Sequence, residues 1–146
     1  CLYDAQDQIL IAGDQVLPTI SPNVSVLPSR PDANPLREFL ESLARLEHCA
    51  PNTLVLPSHG RPFRGLHRRV DVLRSHHLQQ LESLRKACRD PQAAYGLLPV
   101  MFGRPLRGYH RFLALGETVA HLNYLWHAGD LKRTVDDAGR IHFVAG

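Results

Sequence analysis

Apolar residues recur along this chain in two rhythms, and each rhythm predicts a different element. At the start, "CLYD" and "QILIAGD" are β-rich runs joined by the polar "DAQD". Alternation with a period of two marks a strand, because successive side chains of a pleated backbone point to opposite faces. The two runs predict a hairpin over Cys1–Asp4 and Gln8–Ala12. "TLVLP" is a short continuous apolar run and predicts a buried strand. Near the other end, "LKRTV" and "RIHFV" alternate around "DDAG", a second hairpin with a tight turn.

The other rhythm is helical. In "NPLREFLESLARLEHC", Leu36, Phe39, Leu40, Leu43 and Leu46 form one stripe at spacings of three and four. Asn34 suits the cap and Pro35 the first helical position, where its missing N–H is no loss. A long helix is predicted from about Leu66 to Cys88, with Val70, Leu73, His77, Leu81, Leu84 and Cys88 on its stripe. Asp90-Pro91 predicts the start of a short helix through about Met101, and "GRPLRG" a loop. The next helix runs from about Tyr109 to His127, with Gly116 a weak point inside it. "QVLPTISPNVSVLPSRPDANP" holds five of the eleven prolines and predicts a long structured loop.

Strand, loop, helix, strand is an α/β order. Helix, helix, two-stranded hairpin is the order of a winged-helix unit. These segments divide the chain into residues 1–65, a connecting helix at 66–89, and residues 90–146.

Composition narrows the class. The 146 residues are 44% hydrophobic and 21% charged, a globular balance. No apolar run approaches the roughly 18 residues of a membrane-spanning helix, and no basic-then-apolar start marks a signal peptide. The net charge of +3 permits an anionic partner without arguing for one. Cys1, Cys49 and Cys88 form no C-x-x-C pair, and an odd count without a framework suits a reduced, cytoplasmic protein.

Two strand ends carry candidate chemistry. Asp14 follows "ILIAG", and His59 follows "TLVLPS". Sites in open α/β folds form where the carboxyl ends of strands bring loops together. An aspartate and a histidine at two such ends suit a zinc or iron centre, although zinc needs three or four protein ligands. Other histidines read more plainly. His77, on the apolar stripe, reads as a packing residue, and His67 and Asp71 stand one helical turn apart as a surface pair. Cys49 and Cys88 end helical stripes and read as buried small hydrophobes.

"LYDAQDQILIAGDQVLPTISPNVSV" resembles the strand and metal-bridging loop of the metallo-β-lactamase superfamily, closest to its glyoxalase II-like hydrolases. "LVLPSHGRP" resembles the last motif of that family, a strand followed by Pro-x-His-Gly. "AAYGLLPVMFGRPLRGYHRFLALGETVAHLNYLWHAGDLKR" resembles the winged-helix segment that follows the catalytic domain in one subgroup. The resemblance covers essentially the whole chain in the right order. It implies the C-terminal part of an αββα domain, then a winged-helix-like α+β domain. It implies that Asp14 bridges two metal ions and that His59 binds the second. The ions would be zinc, with iron or manganese served by the same donors. A metal-activated hydroxide would be the nucleophile.

The family's H-x-H-x-D-H motif and the histidine just before "LYD" are absent here. The expectation is therefore the C-terminal half of a longer hydrolase, inactive alone. Thioester or ester hydrolysis on a small molecule is the leading chemistry. Phosphodiester cleavage of RNA, or a non-catalytic winged helix binding nucleic acid, are the alternatives. Arg61, Arg64, Arg68 and Arg69 follow His59 closely. They read as an anion-binding wall or as a solvated helix face, and composition favours the face. From Phe112 to Leu131 the would-be recognition helix has no Lys or Arg, which argues against groove binding.

Overall fold

Asp4 turns the first hairpin, its Oδ1 accepting the N–H groups of Gln6 and Asp7 at 2.9 and 3.1 Å. Such an aspartate mimics a backbone turn and fixes where two strands reverse. On either side run β1 (Leu2–Asp4) and β2 (Ile9–Gly13), antiparallel with Tyr3 opposite Leu10. The computed structural model describes residues 1–103 and 105–146. β3 (Leu54–Pro57) joins β2 in parallel, giving the sheet order β1-β2-β3. Parallel neighbours need a long crossover, and α1 (Pro35–Arg45) lies within it. The Asn34 carboxamide oxygen accepts the Arg37 N–H at 3.2 Å, as the cap position predicts. Leu36, Phe39, Leu43 and Leu46 are buried and Leu40 is half-buried.

Two compact units emerge. One comprises Cys1–Pro22 and Leu40–His76, the other Asn23–Phe39 and His77–Gly146. These cuts differ from boundaries at residues 65 and 89: they fall within α1 and within α2 (Leu66–Ala87). In the first unit the buried side chains include Leu10 and Val55 on adjacent strands, with Val16, Leu43, Leu66, Val70 and Leu73.

In the second unit a 3-10 turn (Ala94–Leu97) leads into α3 (Leu98–Phe102), α4 (Gly108–His127) and the strands β4 (Leu131–Val135) and β5 (Ile141–Ala145). β4 and β5 pair antiparallel from Leu131 opposite Ala145 to Val135 opposite Ile141. Asp90-Pro91 does not open a helix, contrary to the cap-like spacing. The backbone of Gln92 exchanges both hydrogen bonds with Phe143 at 2.9 Å, so the chain stays extended there and turns helical only at Ala94. The "GRPLRG" loop includes Arg104, which lies outside the described residues. Among the described residues, no helix is long and apolar enough to cross a membrane.

From Asn23 onward the proline-rich segment belongs to this second unit, where α4 satisfies its backbone. The Val26 N–H donates to the Gly116 carbonyl at 3.0 Å. The Asn123 carboxamide donates to the Pro31 and Ala33 carbonyls at 2.8 and 2.9 Å. Gly116 is therefore a point of close approach rather than a weak point. A Cβ there would stand 2.9 Å from Ser25 Cβ and 3.2 Å from the Val26 carbonyl oxygen.

Asp136 anchors the second hairpin. Its Oδ1 accepts the N–H groups of Ala138 and Arg140, while its Oδ2 lies 2.8 Å from Arg140 Nε and 3.0 Å from His142 Nε2. The Arg140 N–H above all, then the His142 ring and the Arg140 guanidinium, hold this carboxyl well below the usual carboxylate range, against an opposing desolvation.

Both contacts can be tested by substitution. Gly116→Ala gains about 0.8–1 kcal/mol of helix propensity but overpacks the crossing at about 1–3 kcal/mol. The expected net is a loss of about 1 kcal/mol in urea unfolding, and an unchanged or raised midpoint would refute the close-approach reading. Asp136 has a folded pKa below its unfolded one, so its stabilisation is full at neutral pH, begins to be lost as pH falls into the usual carboxylate range, and is gone only below the depressed folded value. The melting temperature of Asp136→Asn should therefore fall less steeply than that of the parent below about pH 5.

Candidate metal centre

Because β2 and β3 are parallel, their carboxyl ends lie on one edge of the sheet. Gly13 pairs with Pro57 at that edge, after an irregularity in register between Ile11 and Gly13. The next residues, Asp14 and Ser58, leave the sheet side by side. The Ser58 N–H donates to the Gly13 carbonyl at 3.0 Å, and its hydroxyl donates to Asp14 Oδ1. His59 Nε2 lies 3.6 Å from the same carboxylate oxygen, and both side chains are 70% exposed. The two residues that strand-end reasoning singled out are thus brought together.

Gly60 shapes the loop after His59. Its φ is +86°, and a Cβ would stand 2.6 Å from Pro18 Cγ. Any larger residue meets both a backbone penalty and a clash with the proline loop, so glycine here fixes where His59 leaves the strand.

The donor set suits a metal. An imidazole nitrogen and a carboxylate oxygen on one four-coordinate ion, each at about 2.0–2.2 Å, stand about 3.4–3.6 Å apart. The observed 3.6 Å meets that test. Ser58 would orient the carboxylate, as outer-shell hydroxyls do. Among the described residues no third His, Cys, Asp or Glu gathers with this pair.

The four arginines divide. Arg61 and Arg68 are exposed. Arg64 donates to the Asn52 carbonyl. Arg69 donates to the Leu17 and Ile20 carbonyls at 2.6 and 2.7 Å, and burial pushes its pKa down. Arg69 is a brace between α2 and the loop after Asp14. Nearby, Arg74 pairs with Glu47 at 2.6 Å. His67 turns to the Cys49 carbonyl at 3.0 Å rather than to Asp71.

A second constellation lies in the other unit, and sequence reasoning missed it. His77 and His121 are fully buried. His77 Nδ1 is 3.0 Å from His121 Nε2, and His121 Nδ1 donates to the Glu117 carbonyl at 2.8 Å. His77 also packs edge to face against Phe39, with ring centroids 5.4 Å apart. Burial raises the Glu117 carboxyl to about 7. The available signal was Glu117-x-x-x-His121, a carboxylate and an imidazole one helical turn apart on one face.

Residues 81–146 match the family model described as metallo-beta-lactamase-like, C-terminal domain. The match covers 66 of the 146 residues, somewhat less than half of the chain. Two solved structures extend the likeness to 99% of the chain. One is a beta-lactamase domain protein from Burkholderia ambifaria, 51% identical with a TM-score of 0.96. The other is a metallo-beta-lactamase family protein from Thermus thermophilus, 30% identical with a TM-score of 0.83. The chain spans 43% and 44% of those two proteins, less than half of either. No curated protein matches the chain. The matched C-terminal domain contains Glu117 and His121 of the trio, while His77 precedes its range.

If Gly60 sets the position of His59, Gly60→Ala should cost about 1–3 kcal/mol from the left-handed backbone alone. It should also shift the His59 ring resonances in NMR spectra. Unchanged stability together with unchanged His59 resonances would refute the role given to Gly60.

Proposed function

We propose that this chain is the C-terminal part of a metal-dependent hydrolase of metallo-β-lactamase type, acting on a small-molecule thioester or ester. One observation carries the reading: Asp14 and His59 stand 3.6 Å apart at neighbouring ends of parallel strands. The 51% and 30% identities to the two solved proteins support it. In this reading Asp14 bridges two divalent ions, zinc foremost, and His59 binds the second. Bound ions of this kind polarise a carbonyl and make water nucleophilic near neutral pH. The protein's own contribution is positional. Ser58 holds the Asp14 carboxylate, Gly60 sets the exit of His59, and Arg69 braces the loop that carries Leu17 and Ile20. The remaining ligands come from the part of the longer protein that this chain does not span. The C-terminal helices and hairpin act as a winged-helix-type structural unit. Between Phe112 and Leu131 the chain carries no Lys or Arg, so a small molecule fits better than a nucleic acid. The three free cysteines fit a reducing, cytoplasmic setting.

The test uses the longer protein. Asp14→Asn and His59→Ala should each lower bound zinc, and kcat/KM for thioester hydrolysis should fall at least about 100-fold, a ligand being worth no less than an outer-shell partner. Variants with unchanged metal content and rate would refute the ligand assignment. Cleavage of RNA with the thioester left intact would replace thioester chemistry with phosphodiester chemistry. The 146-residue chain alone should not hold two tightly bound zinc ions by elemental analysis.

A further inference from the structure

The trio in the second unit has the form of a ligand set. The C-terminal part of α2 supplies His77, and successive turns of α4 supply Glu117 and His121. One donor atom from each lies within 4.8 Å of the others. Tautomers follow from the hydrogen bonds. A carbonyl only accepts, so His121 carries its proton on Nδ1 and presents a lone pair at Nε2. That outer hydrogen bond fixes the ring, as outer-shell carbonyls do for metal-bound histidines. His77 Nδ1 faces that lone pair at 3.0 Å.

Two imidazole nitrogens on one zinc ion, each at about 2.0–2.1 Å, stand about 3.3 Å apart at a tetrahedral angle. The pair needs to open by only a few tenths of an ångström. His77 would then move its proton from Nδ1 to Nε2, a tautomer change with no net loss of charge. Glu117 supplies the negative charge that two neutral imidazoles lack. It is also the half-buried member of the trio, beside two rings with no exposed surface, and so gives an ion its route from solvent.

We propose that His77 Nδ1, His121 Nε2 and the Glu117 carboxylate bind one divalent d-block cation, of the zinc or cobalt kind, which clips the C-terminal part of α2 to α4. Imidazole and carboxylate donors select such ions over calcium and magnesium. The site is separate from Asp14 and His59 and does not depend on the hydrolase reading. Its role is structural: the ion holds two helices by three ligands, with water free to complete the set at the Glu117 side.

The test starts from the 146-residue chain carrying Asp14→Ala and His59→Ala, so that the strand-end pair is silent. Titration with cobalt(II), followed by visible absorption, should saturate at one ion per chain. Adding Glu117→Gln, a substitution that keeps the shape of the side chain, should weaken binding at least about tenfold. Zinc should shift the 15N resonances of His77 Nδ1 and His121 Nε2 in the folded chain. The proposal is overturned if the silenced chain shows no saturable binding, if Glu117→Gln binds as tightly, or if the two ring resonances stay in place at saturating zinc. Binding lost with Asp14 and His59 but indifferent to Glu117 would assign the ion to the strand ends alone.

Discussion

The parallel register between β2 and β3 is the constraint on which the strand-end site depends. Leu10 opposite Val55 puts two fully buried side chains in the sheet. A slip of one residue would turn every side chain of the slipped strand to the other face and bring buried ones into water. It would also carry Asp14 along the strand by about 3.3 Å relative to His59. The present separation of 3.6 Å would then be lost. The position of two exposed polar residues is therefore set by buried apolar ones a few residues earlier, and the site inherits the precision of the core.

Backbone close approach does similar work at two glycines. Gly60 lies against Pro18, and Gly116 lets Ser25 and Val26 run against α4. In each case a loop reaches a distance that a Cβ would forbid. Proline-rich segments donate few hydrogen bonds and need partners for their carbonyls, which Arg69 and the Asn123 side chain supply. The long loop is thus ordered by a guanidinium in one unit and by a carboxamide in the other.

Much of this was legible in the sequence, for a physical reason. Period-two runs, the Asn34-Pro35 cap and the Asp136 hairpin are local, and local preferences were enough to place them. Asp14 and His59 were legible as strand-end residues because the parallel order follows from strand, helix, strand. Their joint placement needed the register. Asp90-Pro91 misled because its cap-like spacing is local, while the competing partner, Phe143, is distant in sequence and holds Gln92 extended. The grouping of residues 23–39 with the C-terminal unit was equally hidden, since it rests on long-range hydrogen bonds to Gly116 and Asn123. The apolar stripe of α2 is enough to mark His77 as buried, but its partner His121 lies on another helix and cannot be found by spacing.

The two His-carboxylate sets use the same donor types under opposite solvation, and that difference decides what each can do. Asp14 and His59 are mostly in water, where a lone aspartate-histidine pair gains little from proximity. They need further ligands to hold an ion firmly. The trio is the reverse. Two imidazoles have already lost their water, and the Glu117 carboxyl is disfavoured as an anion by its burial, which raises it to about 7. A buried polar network of this kind is stabilising only when its members are satisfied. The hydrogen bond between the rings occupies one nitrogen of each, and the Glu117 carbonyl occupies the second nitrogen of His121. Neither bond offsets the burial that opposes charge on the Glu117 carboxyl. A divalent cation would meet the ring nitrogens and the carboxylate together. Solvation thus separates the two sets: the strand-end pair is open to solvent, while the trio meets solvent only at its half-buried Glu117.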